Sequence, residues 1–351
     1  MTGMRRVVVY PERIAVETAD VPSPGPDEVL VRTLLAGVCG SDLHAARGRH
    51  PFVRLPYRPG HEVVGVIEAG AIGAGAIGAG GAAAGQAPGQ RVIVEPDLPC
   101  WTCKMCTTGR ENLCENLQFF GCGYAQGGMA DYFTLPANRL HPVPDALDDT
   151  TAALIEPLST PVHAVRLAGD VAGRSVAILG AGTIGLFTLA VLRAHGAGPV
   201  VSTDPNLAKR QRAEALGADV TIDAHAPDVT GQVREALGGS ADIVFDCVAV
   251  QSSVDQAIAI ADKGGTVMVV GVPAGEVTVP LPIVQDHQIR IQGSATYLPE
   301  DYAESAGLLG RGVVRTADFV TATRPLAQVA EAFALASSGQ HVKVLVTVGE
   351  R

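Results

Sequence analysis

Four cysteines lie within one stretch of fifteen residues, in the pattern C-x2-C-x2-C-x7-C. They are Cys100, Cys103, Cys106 and Cys114. Turns at this spacing can bring four thiolates together, and four thiolates bind zinc in a closed tetrahedral site that stabilises the surrounding fold. Two disulfides or an iron–sulfur cluster could use the same residues, although a reducing compartment disfavours disulfides.

A second set of metal-binding residue types is spread over three segments and comprises Cys39, His61, Glu62 and Glu156. Taken singly, each has an ordinary interpretation, such as a small core residue for Cys39 or a hydrogen-bonded loop histidine for His61. Adjacent side chains on a strand point to opposite faces, so His61 and Glu62 can reach one metal only where the chain bends. The preceding Pro59-Gly60 permits such a bend.

The glycine pattern G-x-G-x-x-G occurs twice, at residues 73–78 and at residues 180–185. Its glycines let the backbone approach a pyrophosphate, which the N–H groups at a helix N-terminus then bind. The second copy follows an apolar strand at 175–179 and precedes an apolar helix at 186–195. The sequence therefore predicts a dinucleotide site there, with five candidate contacts: Gly180, Gly182, Thr183, Ile184 and Gly185.

The first glycine copy has no helix after it. Between Gly78 and Arg91 the sequence contains only Ala, Gly, Gln and Pro. Each glycine there would cost about 1 kcal/mol relative to alanine in a helix. We therefore predict a loop at residues 71–89 that binds no cofactor.

Asp204 follows the predicted strand 200–203 and lies 22 residues after Gly182. A carboxylate at this distance accepts hydrogen bonds from both ribose hydroxyls of NAD and repels the 2'-phosphate of NADP. Lys209 and Arg210 follow closely and partly offset that charge, and Lys209 is itself a candidate cofactor contact. The sequence predicts NAD as the cofactor, with NADP less favoured.

Two regions with different sequence patterns contain these residues. Residues 1–150 contain short apolar runs separated by Pro and Gly, which predicts a β-rich region. From 151 to 290 strand-like and helical stretches alternate, which predicts an α/β domain with a doubly wound parallel sheet. The tail adds a strand at 289–292, helices near 300–310 and 325–337, and a last strand at 343–348.

Composition limits the classes of partner. The chain has 351 residues, of which 47% are hydrophobic and 18% charged, with a formal net charge of -10. Because no basic block interrupts this acidic balance, we expect neither nucleic acid nor a membrane surface as a partner. The uncharged stretch 69–90 is mostly Gly and Ala and too weakly apolar to span a membrane. The first ten residues hold no signal-peptide core, and we expect a cytoplasmic protein.

Taken together, these motifs resemble the zinc-dependent medium-chain dehydrogenases, closest to their sorbitol, threonine and 2,3-butanediol dehydrogenase branch. The resemblance extends from the first strands to the closing segment His341–Val346. It implies a GroES-like catalytic domain at 1–150, with a structural zinc lobe at about 97–116, completed by residues 291–351. It also implies a Rossmann NAD-binding domain at 151–290, two zinc ions per chain, and a homotetramer or homodimer.

The resemblance assigns roles to the scattered ligand types. It implies a catalytic zinc held by Cys39, His61 and a carboxylate, and Glu62 and Glu156 both compete for that third place. Asp42 would orient His61 by accepting a hydrogen bond from its other ring nitrogen.

The resemblance also implies a reaction, the oxidation of a secondary alcohol to a ketone with hydride transfer to NAD. Zinc would lower the pKa of the alcohol, and the proton would leave through Ser41 and His44. Val272, after a strand that reaches the nicotinamide in similar enzymes, is a further candidate cofactor contact. The substrate pocket is not readable, and Phe119, Tyr124 and Tyr297 are candidates to line it.

Two other kinds of function would use parts of the same sequence. A carbonyl reductase of the same superfamily would work in the reductive direction, whereas related enone and quinone reductases lack the zinc ligands. A non-catalytic zinc and nucleotide protein is the alternative from another class.

Three further residues stand apart from these motifs. Pro161 departs from the family pattern, and we expect it to move a helix start to Thr160. Cys122 and Cys247 fit neither zinc set and are interpreted as structural.

Overall fold

The computed structural model describes residues 3–70 and 87–349. The first glycine motif, at 73–78, and all but the last three residues of the predicted loop at 71–89 lie outside the described residues.

Strands and helices are numbered here in chain order. The strands are β1 Met4–Val9, β2 Ile14–Ala19, β3 Glu28–Val38, β4 Glu62–Gly70, β5 Arg91–Val94, β6 Asp97–Leu98, β7 Gln118–Phe119, β8 Tyr132–Pro136, β9 Leu140–Pro142, β10 Val176–Leu179, β11 Val200–Thr203, β12 Val220–Ile222, β13 Ala241–Asp246, β14 Ala261–Val269, β15 Arg290–Gly293, β16 Val320–Pro325 and β17 Lys343–Thr347. The α-helices are α1 Gly40–Ala46, α2 Lys104–Thr107, α3 Asp149–Ala152, α4 Ile155–Ala168, α5 Thr183–Ala194, α6 Leu207–Ala215, α7 Val229–Leu237, α8 Gln251–Ile260, α9 Leu281–Asp286, α10 Pro299–Gly310, α11 Thr316–Phe319 and α12 Val329–Ser337.

The chain divides into two compact units, one of Met1–Pro157 with Leu298–Arg351 and one of Leu158–Tyr297. Both boundaries lie a few residues later than the predicted 150 and 290. The later second boundary has a physical reason, because β15 pairs in parallel with β14 and so completes the sheet of the second unit.

The first unit is built on a seven-stranded sheet with the order β16-β17-β3-β4-β5-β9, in which β8 also pairs with β3. Its pairings are antiparallel except for β16 with β17. Apolar side chains such as Val31, Phe133 and Val346 are fully buried in its core. The long strand β3 is central, and it ends directly before Cys39.

The second unit is a six-stranded parallel sheet with the order β12-β11-β10-β13-β14-β15. Strands and helices alternate along its sequence, and the apolar residues of β10 are buried throughout. This strand order is that of a doubly wound nucleotide-binding fold, whose ligands bind at the carboxyl ends of the strands. The predicted α/β class, a β-rich domain together with a domain built on a doubly wound parallel sheet, is confirmed.

The prediction for Pro161 was wrong. Helix α4 begins at Ile155, and Pro161 lies inside it. A proline there removes one backbone hydrogen bond. Burial of Leu158, Val162 and Val165 along the same helix favours its continuation through the proline.

Within the two described ranges, no helix is both long and apolar enough to cross a membrane.

Candidate active site

The chain turns from β3 into α1 at Cys39, which is the N-cap residue of that helix. The carboxylate of Asp42 accepts a hydrogen bond from the backbone N–H of Cys39 at 3.0 Å. This contact satisfies one of the donors that a helix N-terminus leaves free, so it fixes the position at which the thiol leaves the backbone.

His61 and Glu62 stand at the beginning of β4, where the backbone bends at Gly60. Gly60 has a φ of +106°, and a side chain there would collide with the backbone nitrogen of Met129. Because His61 precedes the strand, the alternation of strand side chains does not separate it from Glu62. Ligand atoms of Cys39, His61 and Glu62 all lie within 4.8 Å of one another.

Glu156 is placed differently. It is the second residue of α4 and is 4% exposed, and its charge contributes to the raised pKa of His61. The structure thus groups Glu62 with Cys39 and His61 at ligand distance, and it keeps Glu156 as a nearby buried carboxylate.

Lys343 is the functional residue that sequence reasoning missed. Its ammonium group donates to both oxygens of the Glu62 carboxylate, at 2.7 Å for Oε2, and to the carbonyl of Val38. Both side chains are buried, with exposed fractions of 3% and 1%. Burial lowers the pKa of Lys343, but the charge of Glu62 raises it by more, so the lysine stays protonated.

Gly37 makes this ion pair possible. Lys343 is on β17 and Glu62 on β4, and β3 lies between them in the sheet. Gly37 of β3 is the partner of Glu62 across one ladder and of Leu345 across the other. A side chain at Gly37 would occupy the position of the Glu62 carboxylate. The two charged groups therefore meet where β3 has no side chain.

His61 has one ring nitrogen without a partner. In the part of the chain that the structure describes, its Nδ1 is buried and accepts or donates no hydrogen bond. Its Nε2 lies 3.4 Å from the hydroxyl oxygen of Ser41. A buried nitrogen without a partner is costly, and a bound metal ion would remove that cost.

The expected contact between Asp42 and His61 is not formed. The Asp42 carboxylate instead accepts from the Cys39 N–H and from the hydroxyl of Tyr57, at 3.1 Å. Burial lowers the pKa of His61, but the neighbouring Cys39 and Asp42 side chains raise it by more. Asp42 therefore acts on His61 through charge and on α1 through hydrogen bonds.

These three residues, Cys39, His61 and Glu62, fit zinc. A thiolate, an imidazole and a carboxylate are the ligand types of catalytic zinc sites, and three protein ligands leave a fourth position open. The ring of Phe119 meets His61 edge-on, with centroids 5.5 Å apart. His44 is exposed on α1.

The four clustered cysteines also converge, with their sulfur atoms within 4.8 Å of one another. Backbone N–H groups of Cys100, Cys103 and Asn116 donate to sulfur atoms in the cluster. The Thr102 hydroxyl and nearby N–H groups lower the pKa of Cys100 to about 5. Burial and neighbouring sulfurs raise the pKa of Cys106 to about 12, a repulsion that a divalent cation would relieve. The donor set fits structural zinc.

Trp101 of the cysteine lobe, here residues 97–119, makes a cation–π contact with Arg139. Trp101 has a φ of +61°, which is unusual for a large residue. The guanidinium of Arg139 lies 4.9 Å from the centroid of its ring and pairs with the buried Glu95 at 2.7 Å. The lobe is therefore anchored through an aromatic–cation contact.

The second glycine motif forms the turn between β10 and α5. Gly180 has a φ of +95°, and a side chain at Gly185 would collide with the Gly180 carbonyl. Gly182 is the N-cap of α5, no side chain caps it, and a Cβ there would enter open space. This arrangement leaves room for a phosphate at the helix N-terminus, so the residues fit a dinucleotide.

Asp204 follows β11 at the same edge of the sheet. Its carboxylate accepts from the N–H of Ala181 at 3.0 Å and of Asn206 at 2.8 Å. Lys209 lies 3.8 Å from it. Val272 is 53% exposed after β14, and no contact of its side chain tests its predicted role.

The two cysteines outside the zinc sets differ in setting. Cys122 packs against the core of the first unit, and Cys247 follows β13 in the second. Burial raises the pKa of each thiol to about 12, which suits inert structural thiols.

Residues 25–145 match the alcohol dehydrogenase GroES-like domain family, and residues 183–311 match the zinc-binding dehydrogenase family. L-galactonate-5-dehydrogenase of Escherichia coli strain K12 is 33% identical over 325 residues, which cover 92% of each chain. Sorbitol dehydrogenase of Bacillus subtilis strain 168 is 32% identical over 352 residues, 98% of this chain and 97% of the relative.

The chain is similar in fold to a solved structure from Sinorhizobium meliloti 1021. That structure is described as a zinc-binding dehydrogenase bound to NADP. The two chains are 31% identical, with a TM-score of 0.89, and the match covers 99% of this chain and 100% of the other.

Proposed function

The chain belongs to the zinc-dependent medium-chain dehydrogenases, on the branch of sorbitol dehydrogenase, and we propose that it oxidises a secondary alcohol with NAD as hydride acceptor. The substrate class is a polyol, a diol, an amino alcohol or a sugar acid, and the product is the ketone. The observation that carries the proposal is the convergence of Cys39, His61 and Glu62 around an unpartnered imidazole nitrogen.

In this proposal Cys39, His61 and Glu62 hold a catalytic zinc. Glu156 is an additional buried carboxylate near them. Zinc, when bound, supplies a Lewis acid that lowers the pKa of an alcohol. Lys343 holds the Glu62 carboxylate in place by donating to both of its oxygens. Phe119 presents an apolar ring beside His61, where it would exclude water.

The proton of the alcohol needs a path to solvent, and two side chains of α1 supply one. The Ser41 hydroxyl lies next to His61 and can accept the proton, while the exposed His44 can pass it to water. We expect Ser41→Ala to lower kcat by about a hundredfold, in the range of one lost proton-transfer group.

His44→Ala should lower kcat less than Ser41→Ala, because water can replace an exposed relay group. Added imidazole should restore part of the loss. Equal kcat values for His44→Ala and the parent protein would remove His44 from the path.

NAD is proposed as the cofactor because the Asp204 carboxylate lies at the ribose end of the glycine turn and repels a 2'-phosphate. The Rossmann unit supplies the site, with Gly180–Gly185 at the pyrophosphate and Lys209 beside the ribose acid. When bound, NAD supplies the hydride acceptor.

The test is a substrate panel with the zinc-replete protein. Polyols, vicinal diols, sugar acids and L-threonine are each offered with NAD, and NADH formation is followed by absorbance. Reduction of the matching ketones by NADH is measured in parallel, which covers the reductive direction. A protein that binds zinc and NADH but turns over nothing in either direction would instead favour a non-catalytic function.

Assembly and location are further parts of the proposal. We propose a homodimer or homotetramer, supported by the edge strand β15, which pairs on one side only within the described ranges and carries the half-exposed Ile291. Light scattering of the purified protein measures this. We propose a cytoplasmic location because a four-cysteine zinc site needs reduced thiols.

A further inference from the structure

Two carboxylates stand side by side at one edge of the Rossmann sheet. Asp204 follows β11 and Asp223 follows β12, and the preceding residues Thr203 and Ile222 are partners in the parallel ladder. The N–H of Asp204 donates to the Ile222 carbonyl at 3.2 Å. Asp223 is therefore the strand-to-strand neighbour of the proposed ribose acid, at the sheet edge where nucleotides bind.

Arg210 of α6 connects the two strand ends through one atom. Its Nη1 donates to the carbonyl of Asp204 at 2.7 Å and to that of Pro205 at 3.1 Å. The same nitrogen lies 3.2 Å from Oδ2 of Asp223. The Arg210 side chain is only 14% exposed. The Arg210 guanidinium thus packs against the segment that leads from β11 into its own helix.

The charges at this edge are consequently paired. Lys209 lies beside Asp204, and Arg210 lies beside Asp223. A 2'-phosphate carries more charge than a ribose hydroxyl and is bound most strongly by a guanidinium that presents two N–H groups. Arg210 has the right chemistry and the right place in the chain, but Asp223 and two carbonyls restrain it.

We propose that Asp223 is a specificity-determining residue, which restrains Arg210 and adds a second negative charge at the ribose end, and so strengthens the preference for NAD over NADP. The inference rests on the proposed function of the Rossmann unit.

A purely structural function for Asp223 makes a different prediction. Its Oδ1 accepts a hydrogen bond from the N–H of His225 at 2.9 Å, which fixes the turn after β12. Asp223→Asn keeps an acceptor oxygen for that turn and removes only the charge. If the residue is only structural, the substitution shifts thermal stability and leaves the relative affinities for the two cofactors unchanged.

The experiment measures dissociation constants for NADH and NADPH by cofactor fluorescence, with zinc-replete protein at fixed ionic strength. We expect Asp223→Asn to lower the ratio of the NADPH constant to the NADH constant by about tenfold, the effect of one additional charge-assisted hydrogen bond to the 2'-phosphate. Asp219→Asn is the matched control. Asp219 pairs with Arg193 at the opposite end of the same strand, so this substitution should leave the ratio unchanged.

A second substitution separates the contributions. Arg210→Gln in the Asp223→Asn background should reverse the increase in NADPH affinity, because that increase requires the released guanidinium. An unchanged ratio in Asp223→Asn, or an increase that survives Arg210→Gln, overturns the inference. Failure of the parent protein to bind either dinucleotide would instead contradict the proposed function, so the two failures are distinguishable.

Discussion

The ion pair between Lys343 and Glu62 determines the electrostatic environment of one candidate metal ligand, the Glu62 carboxylate. Removing one partner of a buried pair leaves an uncompensated charge, whereas removing both charges is often tolerated. Glu62 needs its negative charge to serve as a ligand, and Lys343 is the cation that holds it in the metal-free site. The lysine is a positioning residue.

Lys343→Met should therefore lower the free energy of unfolding by about 3–5 kcal/mol, because it leaves Glu62 charged and buried. Urea unfolding of metal-free, chelator-treated protein measures the change, and the zinc content of untreated protein by mass spectrometry shows whether the site still fills. The double variant Lys343→Met with Glu62→Gln should recover most of the lost stability. Equal unfolding midpoints for Lys343→Met and the parent protein would show that the pair contributes little.

The candidate ligands could be predicted from the sequence, but the lysine could not. Cys39 and His61 belong to short local motifs, and such motifs are visible without a structure. Lys343 is 281 residues from Glu62 and meets it across β3, so no local pattern connects the two. A usable indication was present, because a lysine directly before an apolar run on a predicted strand is rarely buried without a partner.

At the scale of elements, the cysteine lobe has too little secondary structure to fold on its own. It contains one four-residue α-helix, α2, a three-residue 3₁₀ helix at Glu111–Leu113, and the two-residue strands β6 and β7. Short elements of this kind are marginal unless something else connects them. Zinc held by the four thiolates would supply that connection.

Cys103→Ser should remove one zinc per chain and make the lobe sensitive to proteases, since a hydroxyl is a poor zinc ligand. Mass spectrometry should find about one zinc instead of about two, and limited proteolysis should cut between β6 and β7. Cys247→Ala is the control, because it removes a buried thiol outside both sites. Unchanged zinc content in Cys103→Ser would contradict the structural site.

Elements were predictable where the periodicity was strong and less so where tertiary context decided. Strand β11 lies where the sequence predicts it, and α5 begins at Thr183, three residues before the predicted start. Pro161 misled the prediction for α4, because a local rule about proline was given more weight than the buried face of the helix. β3 continues to Val38, directly before the candidate ligand Cys39.

At the scale of the whole molecule, each of the two units has its own sheet and core, so unfolding need not follow a single transition. In the second unit, Asp242 joins the amino ends of β10 and β13. It accepts from the N–H and the hydroxyl of Ser175, at 2.9 and 2.8 Å, and pairs with Arg174. Burial raises the pKa of Asp242, but these contacts lower it by more.

A depressed folded-state pKa means that the ionised carboxylate stabilises the fold. Its contribution is complete above the ordinary carboxyl pKa of about 3.9, and it disappears as the pH falls through the lower folded-state value. Asp242→Asn should thus destabilise the second unit at neutral pH, by less than about 1 kcal/mol because its side chain is 36% exposed. The gap between variant and parent should narrow when the pH is lowered from neutral to below the ordinary carboxyl pKa.

Urea midpoints followed by circular dichroism at both pH values measure this gap. A difference of equal size at the two pH values would mean that the carboxylate charge is not responsible.

The two-unit organisation was foreseeable from the change of sequence texture, but its limits were not. The strand predicted at 289–292 could equally have joined either sheet, because a short apolar run does not indicate which strand it pairs with. Only the pairing of β15 with β14 assigns it to the second unit.

Trp101, the only tryptophan in the sequence, has one more consequence. It lies between Cys100 and Cys103 in the sequence and under the guanidinium of Arg139, so its fluorescence originates inside the lobe. With selective excitation of tryptophan, the fluorescence of Trp101 reports on the state of the lobe. Titration with a chelator can then be followed at this one location while substrate turnover reports on the other metal, which separates the two zinc ions in time without labels or substitutions.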